Sequence, residues 1–197
     1  MRYWIGVLWM KVFGWKMDLP PTMPPQFVYL CFPHTSNWDL PFMLAITWAS
    51  RVRVKYLAKH TLFRGPFNTF FRALGAMPID RRAPQGMVGQ AADLFKADPG
   101  LRLGIPPEGT RKKVTYWKSG FYHIARAANV PVGLGSLDYH RKVGGYLGFV
   151  DLTGDIRADL DRIRAAYEGV LGENPELQSI PRMREEDETQ EPSGTAR

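Results

Sequence analysis

Short apolar runs bounded by glycine, proline and polar clusters alternate along this chain with segments of helical period. Residues 27–32, 52–57, 77–79, 101–105, 130–137 and 146–152 read as strands. Residues 40–50, with Pro41 in the first turn, and 65–74, 87–97 and 120–128 read as helices. Ile156, Leu160, Ile163, Tyr167, Val170 and Leu171 recur at the three-to-four spacing of one buried stripe, which predicts a helix running to a stop at Gly172. Strands alternating with helices, without an internal repeat, predict an α/β fold: a single mixed-sheet sandwich flanked by helices.

The ends of the chain read differently. Residues 1–17 are apolar and aromatic, with Trp4, Trp9 and Trp15, and are interrupted by Arg2, Lys11 and Lys16. Tryptophan favours the membrane–water interface, so a short interfacial helix is expected, with plain packing on the domain as its alternative. No small-residue cleavage site follows, which argues against a signal peptide, and no run reaches the roughly 20 apolar residues that span a bilayer. Pro20, Pro21, Pro24 and Pro25 read as a stiff connector. The expected organisation is a helix and connector over 1–26, a folded domain over 27–172, and a disordered acidic tail over 173–197.

Composition narrows the partners. The chain has 197 residues, 45% of them hydrophobic, enough for one domain with a sizeable core. Its single cysteine, Cys31, rules out a disulfide framework and a cysteine zinc site. The formal net charge is +7, but from Gly172 onward there are seven acids and three bases, so residues 1–171 stand at +11. A basic body suits anionic partners, whether phospholipid surfaces, phosphorylated metabolites or nucleic acid. The bases are spread along the chain without a recognition motif, so nucleic acid is not expected.

Three clusters carry candidate chemistry. In the first, His34 follows an apolar strand and Asp39 stands where the next helix begins. Such a turn can fold the carboxylate onto one imidazole nitrogen and leave the other to take a proton, the base half of a catalytic triad. A helix cap for Asp39 and an ordinary loop role for His34 are the plainer readings of the pair alone. The second cluster, residues 75–82, could aim Arg81 at an anion, as could Lys59 after its strand. The third, Pro107-Glu108-Gly109-Thr110-Arg111, follows a strand and could hold a phosphate or an oxyanion. Ser36 lies two residues from His34, but no Gly-x-Ser-x-Gly elbow supports a hydrolase.

Taken together and in order, these blocks resemble the glycerolipid acyltransferase family that includes lysophosphatidic acid acyltransferases. His34 to Asp39 matches its His-x4-Asp block, Gly75 to Arg81 its Gly-x-x-Phe-Ile-Asp-Arg block, and Pro107 to Arg111 its Pro-Glu-Gly-Thr-Arg block. The resemblance covers about residues 27–137. It implies His34 as general base, Asp39 behind it, and acceptor contacts from Lys59, Arg81, Glu108, Gly109, Thr110 and Arg111. It also implies acyl-CoA or acyl carrier protein as donor, a lysophospholipid as acceptor, no metal or other cofactor, and a site at the cytoplasmic face of a membrane. A glycolipid acceptor, or a non-catalytic membrane-binding module, is the alternative. Pro78 stands where an aromatic is usual, Lys112 where a small polar residue is common, and the fourth block lacks its second proline after Val130-Pro131.

Overall fold

A computed structural model of the protein describes residues 1–59, 63, 67–79 and 86–188. Among these, seven strands form one mixed sheet: β1 (Lys16–Asp18), β2 (Phe27–Cys31), β3 (Lys55–Lys59), β4 (Ala76–Ile79), β5 (Arg102–Ile105), β6 (Val132–Asp138) and β7 (Val143–Val150). Their spatial order is β1-β7-β6-β2-β5-β3-β4. Neighbours run parallel except β6 and β7, which form an antiparallel hairpin. The α/β sandwich expected from the alternating pattern is therefore present.

Strand periodicity divides the core between the two faces of the sheet. Val28, Leu30, Leu103, Val132 and Leu134 meet α4 (Gly86–Ala97), α5 (Gly120–Ala128) and α6 (Ile156–Ala166) through Phe95, Phe121, Ile124, Leu160 and Ile163. The opposite face lies under α2 (Asp39–Ala49), with Phe27 and Tyr29 in one cluster and Phe42, Ala45, Ile46 and Leu137 in another. The remaining helices are α1 (Arg2–Phe13), α3 (Phe67–Ala73) and α7 (Glu185–Glu188). β4 forms one edge of the sheet, where Pro78 leaves no central ladder short of a donor.

Several expected boundaries move. The first helix ends at Gly14, which takes a left-handed conformation, and Lys16–Asp18 joins the sheet as an edge strand on β7 instead of continuing the helix. The second strand begins at Lys55, not at Val52, since Val52 is buried in an unpaired approach to the sheet. α6 closes at Tyr167, five residues before Gly172.

The expected disorder from 173 onward is corrected for residues 173–188, which fold back over the domain. Met183 is fully buried and pairs as an isolated bridge with Trp117. Arg164 binds Glu186, Tyr116 binds Asp187, and Ser179 is buried. Composition missed this because the segment is polar on average while a few buried anchors hold it. Residues 189–197 lie outside the described residues.

Candidate active site

The carboxyl ends of the adjacent parallel strands β6, β2 and β5 release three loops on one edge of the sheet. In open α/β sheets that edge is where crevices form. The loop after β2 carries His34, the loop after β5 carries residues 106–118, and the turn after β6 carries Tyr139.

The His34–Asp39 pair forms as its spacing suggested. His34 Nδ1 lies 3.0 Å from Asp39 Oδ2, and the Ser36 backbone N–H donates to the same oxygen at 3.0 Å. Asp39 is buried at the first turn of α2, where the helix dipole favours its negative charge. With Nδ1 engaged, Nε2 is the imidazole nitrogen left for a substrate. Ser36 serves the turn, its hydroxyl accepting from the Trp38 N–H.

His34 and Asp39 line a cavity of about 220 Å³ between the sheet and α2. Its walls are largely apolar: Tyr29, Cys31, Leu40, Met43, Tyr56 and Leu137. Two glycines make the room. Gly104 and Gly135 flank β2 on this face, and a Cβ on Gly135 would stand 2.1 Å from the Tyr29 ring. Burial pushes the Cys31 thiol up to about 12, so it is a wall of the cavity rather than a nucleophile.

The third block divides between two roles. Arg111 lines the cavity with His34 and supplies its cation. Glu108 turns inward instead of toward an acceptor. It is 1% exposed, and its two oxygens accept the backbone N–H of His34 and that of Ser179, each at 3.0 Å. The expected acceptor contact is therefore replaced by a clamp between the histidine loop and the folded-back C-terminal segment. Burial raises the Glu108 carboxyl above its ordinary value, against the opposing pull of those hydrogen bonds. Gly109 and Thr110 shape the turn and are not among the residues that line the cavity: Gly109 has a positive φ, and the Thr110 hydroxyl accepts from the Lys112 N–H. Lys59 is the last residue of β3, but its side chain, like Arg81 as a whole, lies outside the described residues.

Two contributions were not legible in the sequence. The Tyr139 hydroxyl donates to Asp39 Oδ1 at 2.8 Å across 100 residues of chain. Asn174 binds the loop beside His34, its backbone N–H donating to Thr35 Oγ1 and its side-chain amide to the Thr35 carbonyl. Neither falls in a local motif, and Asn174 stands in a segment whose polar composition marks no contact with the domain. Among the described residues no cluster of three histidine, cysteine or acidic side chains could hold a metal ion.

The acyltransferase family model matches residues 23–133, which hold His34, Asp39 and the whole third block. Among solved structures, the chain is similar to the crystal structure of the 1-acyl-sn-glycerophosphate (LPA) acyltransferase PlsC from Thermotoga maritima. The identity is 20% and the TM-score 0.57, over 84% of this chain and 73% of that one. Likeness at that identity is a likeness of fold. No curated protein matches the chain.

Proposed function

The chain belongs to the acyltransferase family, and on that premise we propose that it moves a fatty acyl group from acyl-CoA or acyl carrier protein to the hydroxyl of a lysophospholipid. The favoured acceptor is 1-acylglycerol-3-phosphate, giving phosphatidic acid. One observation carries the reading: the His34–Asp39 pair stands in the wall of an apolar cavity that also holds Arg111. A base, a sleeve for a hydrocarbon chain and a cation for a phosphate are the three things this transfer asks of a protein.

In the proposed step His34 Nε2 removes the proton of the acceptor hydroxyl as its oxygen attacks the thioester carbon. The tetrahedral adduct collapses with cleavage of the C–S bond, and His34 returns the proton to the leaving thiolate. Asp39 holds the tautomer in which Nε2 is unprotonated and stabilises the imidazolium that forms. General-base assistance of this kind contributes roughly 10²–10⁴-fold, and holding both substrates in one cavity contributes further through orientation. Base chemistry of this type calls for no metal.

A peripheral or monotopic position at the cytoplasmic face of a membrane fits the apolar side chains exposed on α1 and at the start of α2. Trp4, Ile5, Leu8 and Val12 are exposed along α1, and Trp38 and Leu40 are exposed where α2 begins. Among the described residues no helix is long and apolar enough to cross a bilayer, so the contact proposed is interfacial.

The test is acyl transfer from radiolabelled long-chain acyl-CoA, or acyl carrier protein, to a panel of lysolipids in vesicles. Wild-type protein should label phosphatidic acid, and His34→Ala should lower the rate by about 10³-fold or more while remaining folded. Label in another lipid, still dependent on His34, would replace the acceptor. Substantial turnover by the variant would remove His34 from the role of base.

A further inference from the structure

We infer that Tyr139 is a third member of the catalytic pair, a positioning residue that acts on His34 through Asp39. This rests on the proposed role of His34 as base.

Asp39 has two oxygens and both are occupied. Oδ2 faces His34 Nδ1 and the Ser36 N–H, while Oδ1 accepts the Tyr139 hydroxyl at 2.8 Å. A carboxylate anchored at one oxygen alone can turn about its Cβ–Cγ bond, a broad and roughly two-fold torsion. The phenol removes that freedom and keeps Oδ2 aimed at the imidazole.

Tyr139 is itself held. Its backbone N–H donates to the Leu171 carbonyl at 2.9 Å. Its ring stands edge-on to Trp15 and Phe42, with centroids 4.9 and 5.8 Å away. The segment after α1 and the first turn of α2 thus pack on its ring, while the chain beyond α6 holds its backbone. Burial, and then the charge and hydrogen bond of Asp39, push the phenol above its ordinary value, so it remains a neutral donor at any working pH.

The phenol has a second effect, and it predicts a sign. A donor on Oδ1 draws negative charge away from Oδ2 and so weakens the stabilisation of the imidazolium. Taking the hydroxyl away while the ring stays should strengthen that stabilisation and make His34 more basic. The other ionisable groups facing the pair do not change in that substitution: the Glu108 carboxylate on the His34 N–H, Arg111 across the cavity, Cys31 beneath Asp39, and Glu173 near Tyr139.

Tyr139→Phe retains the ring contacts with Trp15 and Phe42, so it tests the hydroxyl alone. Two measurements are needed on the full chain, an NMR titration of the His34 imidazole and the pH profile of kcat/KM. We expect kcat to fall about tenfold from the loosened carboxylate. We expect the His34 titration and the acid limb of the profile to move upward together, by about half a pH unit. In the Asp39→Asn background the same substitution should add little. A rate loss with no upward shift, or one undiminished in the Asp39→Asn background, would mean that the hydroxyl acts other than through Asp39 and would overturn the inference, as would a variant indistinguishable from wild type. Absence of any His34-dependent transfer in wild type would instead remove the functional reading beneath it, while the NMR shift would still report on the Tyr139–Asp39–His34 chain.

Discussion

Glu108 shows how a motif residue acquires its role from what folds around it. Each of its oxygens satisfies a backbone N–H from a different segment, and a glutamine could satisfy only one while aiming its own N–H₂ at the other donor. Glu108→Gln is therefore expected to cost about 1–3 kcal/mol, read from urea midpoints, and to lower kcat by loosening the histidine loop. The pH dependence has a definite sign. Because burial raises its pKa, the folded protein binds the Glu108 proton more tightly than the unfolded chain does. That contribution is complete below the ordinary carboxylate range and is lost as pH rises through the raised value. The stability gap between wild type and Glu108→Gln should narrow as pH rises from about 4 to neutrality. A widening gap would mean that the two hydrogen bonds outweigh burial and hold the carboxyl below its ordinary value.

At the scale of elements, α6 is tied to its surroundings by a carboxylate of opposite behaviour. Asp159, in its first turn, is fully buried and accepts the N–H groups of Thr153 and Gly154 and the hydroxyls of Thr153 and Tyr122, with Arg162 alongside. Burial alone would raise its pKa, but these donors outweigh it and hold the carboxyl at about 2. The stability this confers is present above the ordinary value near 4 and drains away as pH falls toward 2. Asp159→Asn should cost about 2–4 kcal/mol at neutral pH by denaturant unfolding, and progressively less in acid. A cost independent of pH would mean that shape rather than charge matters there. Asp155 caps the same helix through the Ala158 N–H, a local signal, whereas the partners of Asp159 come from α5 and the loop before α6.

The whole molecule presents an apolar helix on a basic body. Trp4, Leu8 and Val12 are each more than half exposed, so replacing them with alanine should leave the fold intact. If they seat the protein on a membrane, the triple variant should lose at least about tenfold in partitioning onto anionic vesicles in a sedimentation assay. Raising the salt concentration should weaken wild-type binding as well, because the +11 of residues 1–171 is screened over about a Debye length. Unchanged partitioning of the triple variant would return α1 to the role of a packing helix on α2, where Met10 already buries its inner side.

What the sequence determined by itself was local or short-ranged in its physics. Strand and helix periods specified the α/β sandwich, because each element must bury one face. The five-residue spacing from His34 to Asp39 spans one turn between a strand and a helix, so that pair was legible from spacing alone. Arg111 was legible too, as a cation in a loop at a strand's carboxyl end. What tertiary structure decided were the contacts whose partners are distant in the chain and whose chemistry is ordinary when read alone. A tyrosine after β6, an asparagine and a serine in a polar C-terminal segment, and glycines on two separate strands carry no local signature. They became a relay, a clamp and a cavity only when the sheet set β6, β2 and β5 side by side. Hydrogen bonds and excluded volume depend on proximity in space, and proximity between residues 39 and 139, or 108 and 179, is a property of topology.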